Sequence, residues 1–147
     1  MSAAADPGGR SAGFAQVAVL YSSDSQLRNL LLPYLAGALA RREDVLLVIS
    51  VTAERVLRDA LRDAAGSVQW GGPGLSCSRL GRMFGAFGDY LEQRRRAGVP
   101  AHVIGEPDSD LSSERLSQYL RHLSMANEVY AAYGCPMLFL WDERRYP

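Results

Sequence analysis

The stretch that decides the fold is VPAHVIGEPDSD, residues 99–110, in which a short apolar run ends abruptly at Gly105-Glu106-Pro107. Such a run, stopped by turn-forming residues, reads as a buried strand. In parallel α/β sheets ligands collect outside the carboxyl ends of the strands, where the backbone leaves the sheet and loops carry polar side chains. Glu106 is therefore a candidate site residue by position alone.

Outward from this stretch, five short apolar runs alternate with longer helical patterns from Gln16 onward. That alternation is the signature of an α/β fold: three layers, with a mainly parallel sheet of about five strands and helices on both faces. The first run, QVAVLYS (16–22), is followed by Ser23-x-x-Gln26, a capping box with Ser23 as N-cap. The helix that follows buries Leu27, Leu31, Leu35 and Ala38, and Pro33 inside it is expected to kink it or restrict its first turns. The second run, DVLLVISV (44–51), is apolar on both faces and therefore central. Thr52 is expected to cap the next helix, which carries Val56, Leu57, Ala60, Leu61 and Ala64. A short run, SVQW (67–70), leads into the loop Gly71-Gly72-Pro73-Gly74.

A third helix shows Leu80, Met83, Phe84, Phe87 and Leu91 at helical spacing and closes on Arg94-Arg95-Arg96 before Gly98. Arginines in a last turn complement the helix dipole, so this end reads as solvated, with an anion site as the alternative. A fourth helix is expected over 112–133, with Leu116, Leu120, Leu123 and Tyr130 on one face. Asn127 falls on the same stripe, where a buried amide needs hydrogen-bond partners. The last run, CPMLFLWD (135–142), ends at Asp142. Placed beside the Glu106 strand, it would put two carboxylates on one rim.

A chain of 147 residues, 48% of them hydrophobic, fits a single domain with one core. The domain is expected over 14–147, after a disordered leader over 1–13 that is too poor in apolar side chains to offset ordering entropy. Sixteen basic and sixteen acidic residues leave no net field to draw the molecule to nucleic acid or an anionic membrane, so neither is expected as a partner. Every basic residue is arginine. Without lysine, a P-loop ATPase and Schiff-base chemistry are both excluded. No run has the form of a signal peptide or the length of a membrane span, so a cytoplasmic protein is expected.

The candidate residues each have a bland reading beside the functional one. Glu106 either accepts hydrogen bonds from a ligand or caps the turn that follows it. Asp142 is a second rim carboxylate, or it forms a surface ion pair with Arg144 and Arg145, worth little. His102, near the start of its strand, and His122, beside the apolar stripe, read as packed histidines. Two histidines and two carboxylates without further partners make no metal site. Cys77 and Cys135 sit in no zinc or disulfide spacing and read as reduced, buried thiols. No G-x-S-x-G elbow occurs, and Pro73 removes a backbone donor from the one glycine-rich loop that could approach a phosphate. No catalytic residue, metal ligand or cofactor is assigned.

Read in order, these landmarks resemble the MEDS family, a sensory domain of methanogens and methylotrophs. The pieces are VAVLYSSDSQL (17–27), LLLPYLAGALARRED (30–44), VIGEPDSD (103–110) and the closing element LFLWD (138–142). The resemblance implies a degenerate RecA-like domain with no phosphate-binding loop and a sensory or regulatory role. Glu106, Asn127 and Asp142 match the family pattern. Two positions depart from it: Gln16 stands where the family tends to have histidine, and Leu123 where it tends to have glutamate. These losses shift weight from small-molecule sensing towards protein interaction.

The leading expectation is a non-enzymatic sensory or regulatory domain of bacterial signal transduction or transcriptional control. It would act through a signalling or regulatory protein partner, with a small-molecule ligand at a rim formed by Gln16, Tyr21, Glu106, Asn127 and Asp142. One alternative is an enzyme derived from a nucleotide-binding fold, with Glu106 and Asp142 as acid/base or magnesium ligands. Another is a homo-oligomeric scaffold built through exposed apolar positions on the third helix, such as Met83 and Phe87.

Overall fold

A computed structural model describes residues 16–71, 80–107, 111–130, 133–134 and 136–146, with the backbone alone at 80–83 and 126–129. The leader expected over 1–13, both cysteines and the glycine loop beyond Gly71 lie outside these residues. The five expected strands all form: β1 (Gln16–Tyr21), β2 (Asp44–Val48), β3 (Gln69–Trp70), β4 (Ala101–Gly105) and β5 (Met137–Asp142). They make one sheet in the order β1-β5-β4-β2-β3, and every pairing is parallel. Four α-helices connect them: α1 (Asp24–Ala40), α2 (Val51–Leu61), α3 (Leu80–Ala97) and α4 (Ser113–Tyr130).

Because side chains alternate across a strand, each central strand feeds two cores. Val45 and Leu47 of β2, Ile104 of β4, and Leu138 and Leu140 of β5 pack with Leu27, Leu31 and Leu35 of α1 and Leu57 of α2. Their neighbours Leu46, Val103, Met137 and Phe139 pack on the other face with Phe87 and Leu91 of α3 and Tyr119 of α4. Helices therefore cover both faces, giving three layers. The chain leaves β2 through a helix on the first face and leaves β4 through a helix on the second. Since β2 and β4 are neighbours in the sheet, their carboxyl ends form a topological switch point, the place where polar side chains gather in such folds.

Helix α1 follows the sequence reading closely. Ser23 caps it, its hydroxyl accepting from the Gln26 N–H at 3.0 Å, and Leu27, Leu31, Leu35 and Ala38 are its buried residues. The capping box closes one residue early, on the Ser22 N–H, which donates to the Gln26 side chain at 2.7 Å. The helix runs uninterrupted through Pro33, which sits on the exposed side. There the carbonyl that loses its partner to the proline faces water.

Several expectations need correction. Helix α2 is capped by Ser50, not Thr52: the Ser50 hydroxyl accepts from the Ala53 N–H at 3.2 Å. The second run accordingly stops at Val48, and Val51, 78% exposed, already belongs to the helix. Helix α2 also ends at Leu61, where Arg62 takes a positive φ of 54° and a 3-10 segment follows, so that Ala65, not Ala64, is buried. In α4 the buried anchor is Tyr119, and Leu120 is 44% exposed. An aromatic ring three residues after Leu116 fills the space under the sheet that a leucine at 120 would have to reach from the neighbouring face. Finally, Phe87 is fully buried in the core and offers no surface to a second copy, while the Met83 side chain is outside the described residues.

The glycine at the end of β3 has a steric reason. The Gly71 N–H donates to the Leu47 carbonyl at 2.6 Å, and a Cβ there would stand 2.9 Å from a Val48 methyl. Helix α3 closes as expected, with Gly98 at a φ of 68°, the left-handed conformation glycine tolerates best.

Candidate functional site

The site is built where strands β1, β2, β4 and β5 end. Val48 of β2 lies opposite Gly105 of β4, and the ladder continues one step further as the Glu106 N–H donates to the Val48 carbonyl at 2.9 Å. That extra bond holds Glu106 against the sheet, so its side chain follows His102 and Ile104 onto the α1/α2 face. Tyr21, at the end of β1, arrives on the same face from beyond β5. Its phenol donates a short hydrogen bond to Glu106 Oε2. The Ser50 N–H donates to Glu106 Oε1 at 2.9 Å. One carboxylate, only 4% exposed, thus joins the ends of three strands and the N-cap of α2.

Asp142 stands directly opposite Tyr21 in the β1/β5 ladder and is equally buried, at 4%. The chain then turns back, and Arg144 grips Asp142 in a bidentate pair, Nε to Oδ1 at 2.9 Å and Nη2 to Oδ2 at 3.0 Å. Its backbone N–H also donates to Oδ1, at 3.0 Å. The same guanidinium reaches Asp24 at 3.2 Å in the first turn of α1 and lies 5.8 Å from the Tyr21 ring. Arg145 approaches Asp142 Oδ2 at 3.4 Å and donates to the Thr52 hydroxyl at 3.3 Å on α2. The final turn is therefore a strap of two arginines laid over the rim. The expected surface ion pair is real in its partners but not in its setting, because the carboxylate it serves is buried.

The electrostatics follow from this packing. Burial, reinforced by the facing Glu106 carboxylate, pushes the Tyr21 phenol well above its ordinary value, so it remains a donor. Burial alone would raise the Asp142 carboxyl, but the Arg144 hydrogen bonds outweigh it and hold the group below its ordinary value. Both rim carboxylates accept hydrogen bonds from groups of the protein itself.

The five residues expected to share a rim divide into two groups. Tyr21, Glu106 and Asp142 come together at the carboxyl ends. Gln16 begins β1, at the opposite end of the sheet, and its amide donates to the Leu123 carbonyl of α4 at 2.8 Å. Asn127 lies one turn further along α4, and its side chain is outside the described residues. Because α4 runs back from the rim towards the start of β5, residues 16, 123 and 127 share the amino-terminal end. The sequence reading paired Arg144 and Arg145 with Asp142 but missed Ser50 and the reach of the two arginines to Asp24 and Thr52; a serine two residues before Thr52 was the available signal.

Both histidines are packed, as expected. His102 is buried between the Tyr34 hydroxyl and Glu43, its Nε2 lying 3.0 Å from Glu43 Oε1. His122 stacks on Phe84 with ring centroids 5.2 Å apart. Among the described residues no three His, Cys, Asp or Glu side chains gather to hold a metal ion, and no helix is long and apolar enough to cross a membrane.

The family model for MEDS, the methanogen/methylotroph, DcmR sensory domain, matches residues 17–147. The chain is a MEDS domain. That match takes in every strand and helix described above except Gln16 at the head of β1, and the rim of this MEDS domain brings together Glu106 of the motif VIGEPDSD and Asp142 of LFLWD. No curated protein and no solved structure matches the chain. A sensory role is thus given by the family, and the arrangement of the rim belongs to this chain.

Proposed function

We propose that this MEDS domain is a non-enzymatic sensory module of signal transduction or transcriptional control, whose state is set at the carboxyl rim and read by a partner protein. The observation that carries the reading is the internal engagement of the rim: Glu106 is held by Tyr21 and Ser50, and Asp142 by Arg144 and Arg145. Carboxylates held in this way tie elements together. A small ligand that reaches the rim competes with Tyr21 and Ser50 for Glu106, and success releases the end of β1 or the first turn of α2. Either release changes the surface that a partner meets, which is how a local polar event becomes a signal.

The test is turnover. Purified wild-type protein is incubated with ATP, GTP and a p-nitrophenyl ester beside the Glu106→Gln/Asp142→Asn double variant. The proposal expects equal background rates for the two proteins. Steady wild-type turnover that the double variant loses would make the rim an active site and overturn the reading.

A further inference from the structure

At the other end of the sheet, beneath the starts of β2, β4 and β5, lies a cleft of about 460 Å³. It falls within the range of small-molecule sites, about 300–1,000 Å³, and it shares no residue with the rim. Its walls are of two kinds. Leu91, Val99, Pro100, Ala101 and Pro136 give an apolar floor, while Arg41, Arg94 and Arg95 bring three guanidinium groups to it and Glu43 the one carboxylate.

The arginines differ in what occupies them. Arg41 pairs with Glu43 through its Nε at 2.8 Å, and Arg95 pairs with Glu92 through Nε and Nη2 at 3.0 and 2.7 Å. All three sit at helix carboxyl ends, where a cation offsets the backbone dipole. Arg94 differs in its hydrogen bonding. Its Nη1 donates to Asp44 at 2.7 Å, but its Nε–H is buried and has no acceptor among the described residues. A buried donor left without an acceptor is costly, and the guanidinium fork is shaped to take a planar carboxylate.

The negative charge that could serve these arginines is already committed. Glu43 is shared between Arg41 and His102, and its carboxyl, which burial would raise, is held below its ordinary value by the His102 and Arg41 hydrogen bonds. Glu92 serves both Arg95 and Arg96. Among the described residues, no acceptor is left for Arg94 Nε.

We infer that the cleft is a binding site for a small organic carboxylate, its carboxylate received by Arg94 with Arg95 and Arg41 beside it and its apolar body laid against Leu91, Val99 and Pro136. This site is separate from the rim and stands independently of the function proposed for it. An apolar floor with a charged mouth selects against inorganic phosphate, which has nothing to bury, and against neutral apolar compounds, which leave Arg94 unanswered.

The experiment is a titration of the full chain with benzoate, and separately with its uncharged counterpart benzamide, followed by amide chemical shifts. Benzoate is expected to give saturable shifts centred on residues 91–102 and 133–136, with benzamide at least tenfold weaker. Arg94→Gln is expected to weaken benzoate at least tenfold. Because Arg94 also pairs with Asp44, a second variant, Val99→Glu, leaves that pair intact and brings a carboxylate to the cleft, and it too is expected to abolish the shifts. Equal binding of benzamide, shifts scattered over surface arginines, no saturable shift, or wild-type affinity in folded Val99→Glu would each overturn the inference.

Discussion

Tyr21 and Glu106, 85 residues apart in the chain, meet as donor and acceptor across the carboxyl end of the sheet. Neither could do so from an ordinary loop. Tyr21 is the last residue of β1, and Glu106 is held in the plane of the sheet by its own backbone bond to Val48. The contact spans β5, so it fixes the edge strand to the centre of the sheet and, through Ser50, to α2.

Removing the Glu106 carboxylate leaves two buried donors without an acceptor, at about 1–3 kcal/mol each. Glu106→Ala is therefore expected to lower unfolding free energy by that amount for each of Tyr21 and Ser50, as measured by urea unfolding. Glu106→Gln keeps an oxygen for the Ser50 N–H and is expected to lose clearly less. Ser50→Ala, which removes the α2 cap, is expected to lose about 1 kcal/mol.

Tyrosine ionisation reports the burial of two phenols. Tyr21 is raised by burial and by Glu106, and Tyr130 is pushed up to about 12 by burial and by Tyr133. A raised folded value means that the folded state holds its proton more tightly than the unfolded chain. The associated stability is complete below about pH 10, the ordinary phenol value, and declines as pH rises above it. Ultraviolet titration is expected to show Tyr21 and Tyr130 ionising above the ordinary phenol value. Tyr21→Phe is expected to flatten the alkaline loss of stability.

Acid acts through Asp142. Its carboxyl is held below the ordinary value, so the stability it contributes is present above about pH 4, where the unfolded carboxyl is ionised, and is lost as pH falls through the lower folded value. Asp142→Asn is expected to cost about 1.5–3 kcal/mol at neutral pH, the range for hydrogen bonds to a charged group. It should also reduce the slope of melting temperature against pH in the acid range.

The rotation of α4 and the burial of α3 are checked by a pair of truncations. Phe87→Ala is expected to cost about 3–5 kcal/mol, as a fully buried ring replaced by a cavity. Leu120→Ala, at a half-exposed position, is expected to cost less than about 1 kcal/mol. Similar losses at the two positions would contradict the orientation of α4.

The fold was legible where local rules and tertiary packing agree. The apolar runs of β2, β4 and β5 could only be buried strands, and the Leu27, Leu31, Leu35 stripe could only be the inner face of α1. It was less legible where two neighbouring residues compete for one role. Ser50 and Thr52 are both good caps, and the choice was made by Glu106, which fixes the Ser50 backbone from 56 residues away. Leu120 and Tyr119 differ by one step of helix, and the space under the sheet chose the larger ring. At the site, strand ends foretold Glu106 and Asp142, but no local pattern shows that Gln16 begins its strand at the far end from them. A linear list of polar residues does not record which end of the sheet each one occupies.

Hydrogen exchange read by mass spectrometry, comparing the wild-type protein with Glu106→Ala, asks whether Glu106 holds the rim as one unit. Faster exchange is expected together at residues 20–24, 49–53 and 142–146, with the central strands β2 and β4 as protected as before. Unchanged exchange at 20–24 and 49–53, or a loss of protection spread evenly over the sheet, would contradict a rim that switches as a unit and with it the sensory mechanism proposed here.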